Sequence, residues 1–125
     1  QDWENAIALY QGEFLPQYRY AEWAVSLRQH FADQFEQALL TLAAERFDRG
    51  AASACLELCR RALLHNPWQE QAVELGMRAA LALGDRMTAV KLYQRLEKVL
   101  DKDLGIAPQK ELQLLYAAAR RRSLK

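Results

Sequence analysis

Apolar residues recur at three- and four-residue intervals along most of the chain, which is the spacing that lines one face of an α-helix. The longest such stretch runs from about Glu22 to Asp48 without a glycine or a proline. Its large apolar side chains are Trp23, Leu27, Phe31, Phe35, Leu39 and Leu42. No segment alternates apolar and polar residues over the length of a strand, so the pattern predicts an all-α fold.

Glycines, prolines and capping residues divide this pattern into about six helices. Gly50 and Gly84 each follow a predicted helix, at the position where a residue with positive φ commonly ends the helix. Gly105 ends the next helix, and Pro108 opens the last one. The predicted helices run from about Trp3 to Tyr10, Glu22 to Asp48, Ala52 to His65, Trp68 to Leu83, Arg86 to Asp103 and Gln109 to Arg122.

Two connecting segments carry local signals of their own. Asn66, Pro67 and Gln69 predict a helix start, with Asn66 as the N-cap, the proline at the first helical position and the glutamine reaching back to the cap. Residues 13–20 hold four large rings or aliphatic side chains beside Pro16, which predicts an ordered loop pressed onto the core.

The sequence also matches itself after a shift of 34 residues. Residues 36–38 and 70–72 both read EQA, and the further matched pairs are Gly50 with Gly84, Leu58 with Leu92 and Arg61 with Arg95. This is the tetratricopeptide period, in which a helical hairpin too small to bury its own apolar face stacks on its neighbours and offers a concave surface. The repeat predicts a tetratricopeptide-like helical-hairpin solenoid, capped by its last helix, that binds a partner rather than catalysing a reaction.

Length and charge agree with this interpretation. The chain has 125 residues, of which 51% are apolar, and its 17 basic and 16 acidic residues leave a net charge of +1. These values predict a single globular domain over residues 1–125 and argue against a general polyanion binder. The chain has no apolar run long enough to span a membrane, and it begins with neither methionine nor a basic leader. We therefore expect a fragment of a longer cytoplasmic protein.

The two cysteines lie four residues apart on one predicted helix. Side chains at this spacing leave the helix axis nearly parallel, so a disulfide between Cys55 and Cys59 would need distorted geometry. His65, the nearest histidine, falls on another face, so a metal site is also disfavoured. We expect two reduced, buried cysteines at helix-packing positions.

The order of several sequence blocks resembles the bacterial transcriptional activation domain found in antibiotic-pathway regulators of the SARP type. The blocks are residues 9–16 (LYQGEFLP) followed by Trp23, residues 38–43 (ALLTLA), residues 61–63 (RAL) with Pro67, residues 104–108 (LGIAP), and residues 111–112 and 115–116 (EL and LY). The resemblance spans essentially the whole chain. Two features depart from it: Gln109 replaces a frequent serine, and Leu39 and Arg46 occupy the usual tetratricopeptide tryptophan and tyrosine positions.

This resemblance implies an all-helical module of a bacterial transcriptional activator, serving in oligomerisation and protein contacts beside a DNA-binding domain absent from this chain. The implied partners are a second copy of the chain, RNA polymerase or another regulator domain, with DNA contacted only through the separate domain. The alternative is a generic tetratricopeptide scaffold or adaptor that binds a peptide or partner helix and has no connection with transcription. The non-repeat block from Gln11 to Trp23 favours the regulator, because a plain repeat array would not need it.

The first helix of each tetratricopeptide hairpin lines the concave face, so the repeat register predicts an interaction surface. The candidate residues are Gln37, Leu40, Phe47, Gln71, Glu74, Arg78 and Leu81. Glu74 and Arg78 are four apart, and a surface ion pair is a better interpretation of them than a ligand clamp. Residues assigned a structural role are Trp23 at the centre of the N-terminal core, Gly50, Gly84, Pro67, Gly105 and Pro108.

Other chemistries fit the residues poorly. Arg120, Arg121, Arg122 and Lys125 could contact nucleic acid, but cations that complement a helix C-terminus explain them better. No nucleophile signature, phosphate-binding loop or dinucleotide fingerprint is present. The sequence therefore predicts no enzyme and no catalytic, cofactor-binding or metal-binding residues.

Overall fold

A computed structural model of the protein describes residues 17–122, which form five α-helices joined by short turns. The helices are α1 (Gln17–Asp48), α2 (Ala52–His65), α3 (Glu70–Ala82), α4 (Arg86–Leu104) and α5 (Lys110–Arg122). No strand occurs between residues 17 and 122, and the all-α prediction is confirmed. The first predicted helix, from about Trp3 to Tyr10, lies outside the described residues.

The long helix α1 begins earlier than its apolar pattern indicated. It starts at Gln17 rather than near Glu22, so the loop predicted for residues 13–20 is wrong for residues 17–20. Composition alone suggested the loop, and aromatic residues are also compatible with a helix. A proline directly before Gln17 in the sequence favours a helix start there, because proline is accepted in a first helical turn.

The connection between α2 and α3 also differs from its prediction. Asn66 caps the end of α2: its backbone N–H donates to the Ala62 carbonyl over 2.9 Å, and its Oδ1 accepts from the Trp68 N–H over 3.1 Å. The N-cap of α3 is Gln69, whose side chain accepts from the Gln71 N–H over 3.2 Å. The Asn66 side chain is used within the turn that follows it, so the capping role passes to Gln69 and the helix starts at residue 70.

The remaining helix ends follow the sequence signals. Gly50, Gly84 and Gly105 have φ angles of 82°, 78° and 65°, the left-handed conformation with which glycine ends a helix. Asp85 caps α4, where its carboxylate accepts from the backbone N–H of Thr88 over 3.1 Å and from its hydroxyl. These two bonds lower the pKa of Asp85, with the charges of nearby cations as a smaller cause.

The described part of the chain divides between Phe35 and Glu36 into two compact units, a first unit up to Phe35 and a second unit from Glu36 onward. Within the second unit, the C-terminal part of α1 packs with α2, α3 pairs with α4, and α5 packs against both α3 and α4. This is a helical-hairpin arrangement with α5 as its cap. That residues 1–125 act as one domain stays a prediction.

Small side chains let the helices of the second unit approach closely. Gly76 of α3 is buried, and a Cβ at this position would lie 3.1 Å from Leu92 Cδ1 and 3.5 Å from Cys59 Cβ. Small residues without any exposed surface surround this crossing: Ala43, Cys55, Cys59, Ala62, Ala72, Ala79, Ala80 and Ala89. Larger side chains at these positions would increase the interaxial distance.

Cys55 and Cys59 are free and fully buried, as predicted. Burial raises the pKa of the Cys59 thiol to about 12, and the neighbouring Cys55 thiol contributes a smaller part of the increase. Burial also raises the pKa of Cys55. Both thiols therefore stay protonated and shielded at neutral pH.

We expect neither cysteine of the folded protein to react readily with a chromogenic disulfide reagent at pH 8, because the reactive thiolate is scarce and covered. Both should titrate once the protein is unfolded in guanidinium chloride. Rapid labelling of the native protein would contradict the burial of these two side chains.

Replacing Gly84 with valine should destabilise the fold by about 1 kcal/mol or more, since a β-branched residue is strained at positive φ. A Cβ at this position meets nothing within 4 Å, so the cost is conformational rather than steric. Gly84→Asn is the matched control, because asparagine tolerates the left-handed region better. Urea denaturation should rank the parent and Gly84→Asn above Gly84→Val, and equal midpoints for all three would show that the turn geometry is incidental.

Candidate functional site

The predicted interaction surface divides into exposed polar residues and buried apolar ones. Gln37, Gln71 and Arg78 are exposed. Leu40 is only 2% exposed, and it packs in a small cluster with Leu39, Ala62 and Ala72. Leu40 therefore belongs to the core and offers no surface to a partner, because it points from α1 toward the adjoining hairpin.

The other two apolar members, Phe47 and Leu81, are half-buried against the main core of the second unit. Among the candidate residues, those that remain accessible are therefore mainly polar. The interaction role of this surface stays a prediction, now restricted to its exposed side chains.

Glu74 and Arg78 form the surface ion pair that their spacing indicated. The Arg78 Nη2 and Nε atoms lie 3.0 and 3.3 Å from Glu74 Oε2. Both side chains remain partly exposed, at 36% for Glu74 and 49% for Arg78. Exposed pairs of this spacing contribute only a few tenths of a kcal/mol, so both side chains remain available to a partner at little cost.

The residues given structural roles occupy different environments. Pro67 lies exposed in the turn between α2 and α3, whereas Pro108 is buried just before α5. Trp23 on α1 is half-buried, and its place at the centre of an N-terminal core stays a prediction.

Glu36 and Glu70, which the 34-residue shift superposes, make equivalent long-range contacts. The Glu36 carboxylate accepts from the side-chain amides of Asn66 and Gln69, immediately before α3. Glu70 Oε1 accepts from the backbone N–H of Gln109, immediately before α5, over 2.8 Å. In both cases, a glutamate near the start of a hairpin accepts hydrogen bonds from the segment just before a later helix. The repeated glutamates are visible in the sequence, but these contacts are not.

The structure also contains a groove that the sequence did not predict, between the second helices of the two hairpins, α2 and α4. This α2/α4 groove has a volume of about 780 Å³. Its lining comprises Glu57, Arg60, Leu63, Leu64, Pro67, Val73, Thr88, Lys91, Leu92, Arg95, Leu96, Lys98 and Val99. A sequence signal existed, because Lys91, Arg95 and Lys98 recur at the helical spacing of one face, but only the fold brings α2 beside them.

A smaller groove lies between α4 and α5. Tyr93 and Tyr116 stack with ring centroids 4.1 Å apart and an angle of 8°, and the Arg120 guanidinium carbon lies 5.5 Å from the Tyr116 ring centroid. Gln94 Nε2 donates to the Tyr116 hydroxyl oxygen over 3.2 Å. Arg120 thus contacts its own helix, and Lys125 of the basic C-terminal run lies outside the described residues.

Between residues 17 and 122, no cluster of three or more histidine, cysteine, aspartate or glutamate side chains has metal-binding geometry. No helix in this range combines the length and apolar character needed to cross a membrane.

Comparison with known proteins gives one match. The protein-family model described as "Bacterial transcriptional activator domain" matches residues 1–120 of the 125-residue chain. No curated protein and no solved structure shows a significant match.

Replacing Glu70 with alanine should lower the free energy of unfolding by about 1 kcal/mol, because the Gln109 N–H loses its charged acceptor at the start of α5. Glu74→Ala is the matched control on the same helix, since it removes only a surface ion pair and should cost a few tenths of a kcal/mol. Urea denaturation compares the two, and hydrogen exchange should show faster opening of α5 in Glu70→Ala alone. Equal losses in both variants would contradict an anchoring role for Glu70.

Proposed function

Because this chain belongs to the bacterial transcriptional activator domain family, we propose that it is the protein-interaction and oligomerisation module of a bacterial transcriptional activator. The family is a regulatory one rather than a family of enzymes. In this proposal, a separate domain of the same cytoplasmic regulator reads DNA, while the helical module contacts a second copy of the chain, RNA polymerase or another regulator domain.

The family match over residues 1–120 is the observation that carries this proposal. It includes the non-repeat residues 11–23 as well as the repeats, which favours the regulator over a generic tetratricopeptide scaffold. The fold supports the same conclusion, since stacked helical hairpins present extended side-chain surfaces suited to protein contacts.

The charge of the chain supports the assignment of DNA binding to a separate domain. A net charge of +1 is too small for the chain to act as a general DNA binder. Arg120 and Arg121 are exposed near the end of α5. Adjacent residues on a helix point in different directions, so Arg120 and Arg121 do not lie in one row along a phosphate backbone.

The test is to fuse the 125-residue chain to an unrelated bacterial DNA-binding domain and to measure a reporter whose promoter carries that domain's operator. The fusion should raise transcription severalfold over the DNA-binding domain alone, because the module supplies protein contacts near the promoter. The unfused chain should show only weak, salt-sensitive and sequence-independent retention of DNA in an electrophoretic shift. No activation by the fusion, or tight and specific DNA binding by the unfused chain, would overturn the proposal.

Arg78→Glu in the same fusion tests whether the exposed polar surface of the first hairpin helices makes these contacts. Loss of the Glu74 ion pair should cost little stability, so reduced activation with an unchanged melting temperature would locate the contacts there. Unchanged activation and self-association would exclude this surface.

A further inference from the structure

The α2/α4 groove combines an apolar floor with a basic rim. Val73, Leu92 and Leu96 form the buried part of the floor, and Leu63 and Val99 add half-buried side chains. At its lip, Leu64 is 85% exposed. A large apolar side chain left in water beside an open apolar floor is a feature of surfaces that bind another protein.

The rim of the groove is strongly cationic. Arg60 on α2 and Lys91, Arg95 and Lys98 on α4 line it, and Glu57 is the one carboxylate in the lining. This excess of positive charge contrasts with the near-neutral chain as a whole. An anionic partner would therefore be attracted to this face in particular.

None of these four cations forms an ion pair within 4.0 Å among the described residues, and the nearby Asp85 carboxylate balances only Arg60 and Lys91 in part. The ion pairs within 4.0 Å that the described residues form are those of Glu45 with Arg46 and Arg49, and of Glu74 with Arg78. Asp85 accepts hydrogen bonds from Thr88 and lies close enough to Arg60 and Lys91 for their charges to lower its pKa. Arg95 and Lys98 have no ion-pair partner within 4.0 Å among the described residues, so at least these two rim cations are available to a carboxylate.

The shape of the groove matches a helix. Its α4 wall extends over residues 88–99, which is about three helical turns or roughly 16 Å. Lys91, Arg95 and Lys98 are spaced four and three residues apart, so they form one row beside the floor. A second helix lying along this row could place its apolar side chains on the floor and its carboxylates against the cations.

We propose that the α2/α4 groove binds an acidic amphipathic helix of a partner protein, with apolar side chains on the accessible Leu63, Leu64 and Val99 and carboxylates paired with Lys91, Arg95 and Lys98. The inference rests on the proposed function, for which it supplies the chemistry of one partner. Nucleic acid fits the groove less well, because a phosphate backbone has no apolar side chains to cover the floor.

The probe is a fluorescein-labelled synthetic helix of about three turns, with leucines at i, i+3, i+4 and i+7 spacing and glutamates flanking them. Fluorescence anisotropy should show saturable binding to the 125-residue chain, weakened by salt. Two control peptides separate the contributions: one replaces the glutamates with lysines, and the other replaces the leucines with glutamines. Each should bind at least tenfold more weakly than the probe.

Arg95→Glu should weaken binding of the probe about tenfold, because a charge pair becomes a like-charge contact. Lys110→Glu is the matched control: it makes the same change in net charge on an exposed residue of α5 outside the groove, and it should alter the affinity less than twofold. Arg95 is exposed, so circular dichroism and melting temperature should be unchanged in both variants. The lysine-containing peptide should regain affinity for Arg95→Glu.

Three results would overturn the proposal. They are failure of the probe to bind, equal weakening by Arg95→Glu and Lys110→Glu, and stronger Arg95-dependent binding of a duplex DNA than of the probe.

The reporter fusion separates this inference from the proposed function. If the Arg95→Glu fusion still activates and the probe does not bind, the proposed role of the α2/α4 groove is wrong and the proposed function stands. If the probe binds but the fusion does not activate, the proposed function is wrong and the groove still binds an acidic helix.

Discussion

The close approach of α3 to the helices on either side of it is the constraint on which the second unit depends. Gly76 favours this approach, since a Cβ there would lie 3.1 Å from Leu92 Cδ1, closer than an ordinary van der Waals contact. The surrounding alanines and cysteines are small enough to leave helix backbones near one another. Larger side chains, including Leu40, Met77, Leu100 and Leu112, are also fully buried and fill the rest of the core.

Two carboxylates add polar contacts between one hairpin and the next. Glu36 and Glu70 occupy the same place in successive repeats, and each accepts hydrogen bonds from the segment that precedes a later helix. These contacts join residues 30 to 39 apart in sequence, so they link one hairpin to the next rather than stabilising a single helix. The repeat is therefore maintained by a polar contact as well as by the apolar core.

The module presents two chemically different surfaces as a result. The first helices of the hairpins expose polar side chains such as Gln37, Gln71 and Arg78, whereas the second helices, α2 and α4, enclose an apolar floor with a basic rim. The candidate polar residues and the α2/α4 groove lie on different helices of the module. The proposed self-association and the proposed acidic helix need not compete for one site.

Several features could be predicted from the sequence because their causes are local. The all-α class follows from apolar spacing, the ends at Gly50, Gly84 and Gly105 follow from the ease with which glycine adopts positive φ, and the buried state of the cysteines follows from the apolar face on which they lie. Helix starts are harder to predict, as Asn66 shows. Its side chain can cap α3 or can accept a hydrogen bond within the turn between α2 and α3, and the same side-chain oxygen serves in both arrangements.

Features that join distant segments were decided by the tertiary structure. Periodicity placed Leu40 on a candidate surface, but only the packing of α1 against its neighbours showed that it faces the core. The α2/α4 groove likewise needs α2 and α4 side by side, and no spacing within either helix reveals that Arg60 and Arg95 line one cavity. The sequence by itself determined which residues form helices, because that depends on neighbours a few positions away. Which faces remain exposed was decided by the fold, because burial depends on residues far away in the chain.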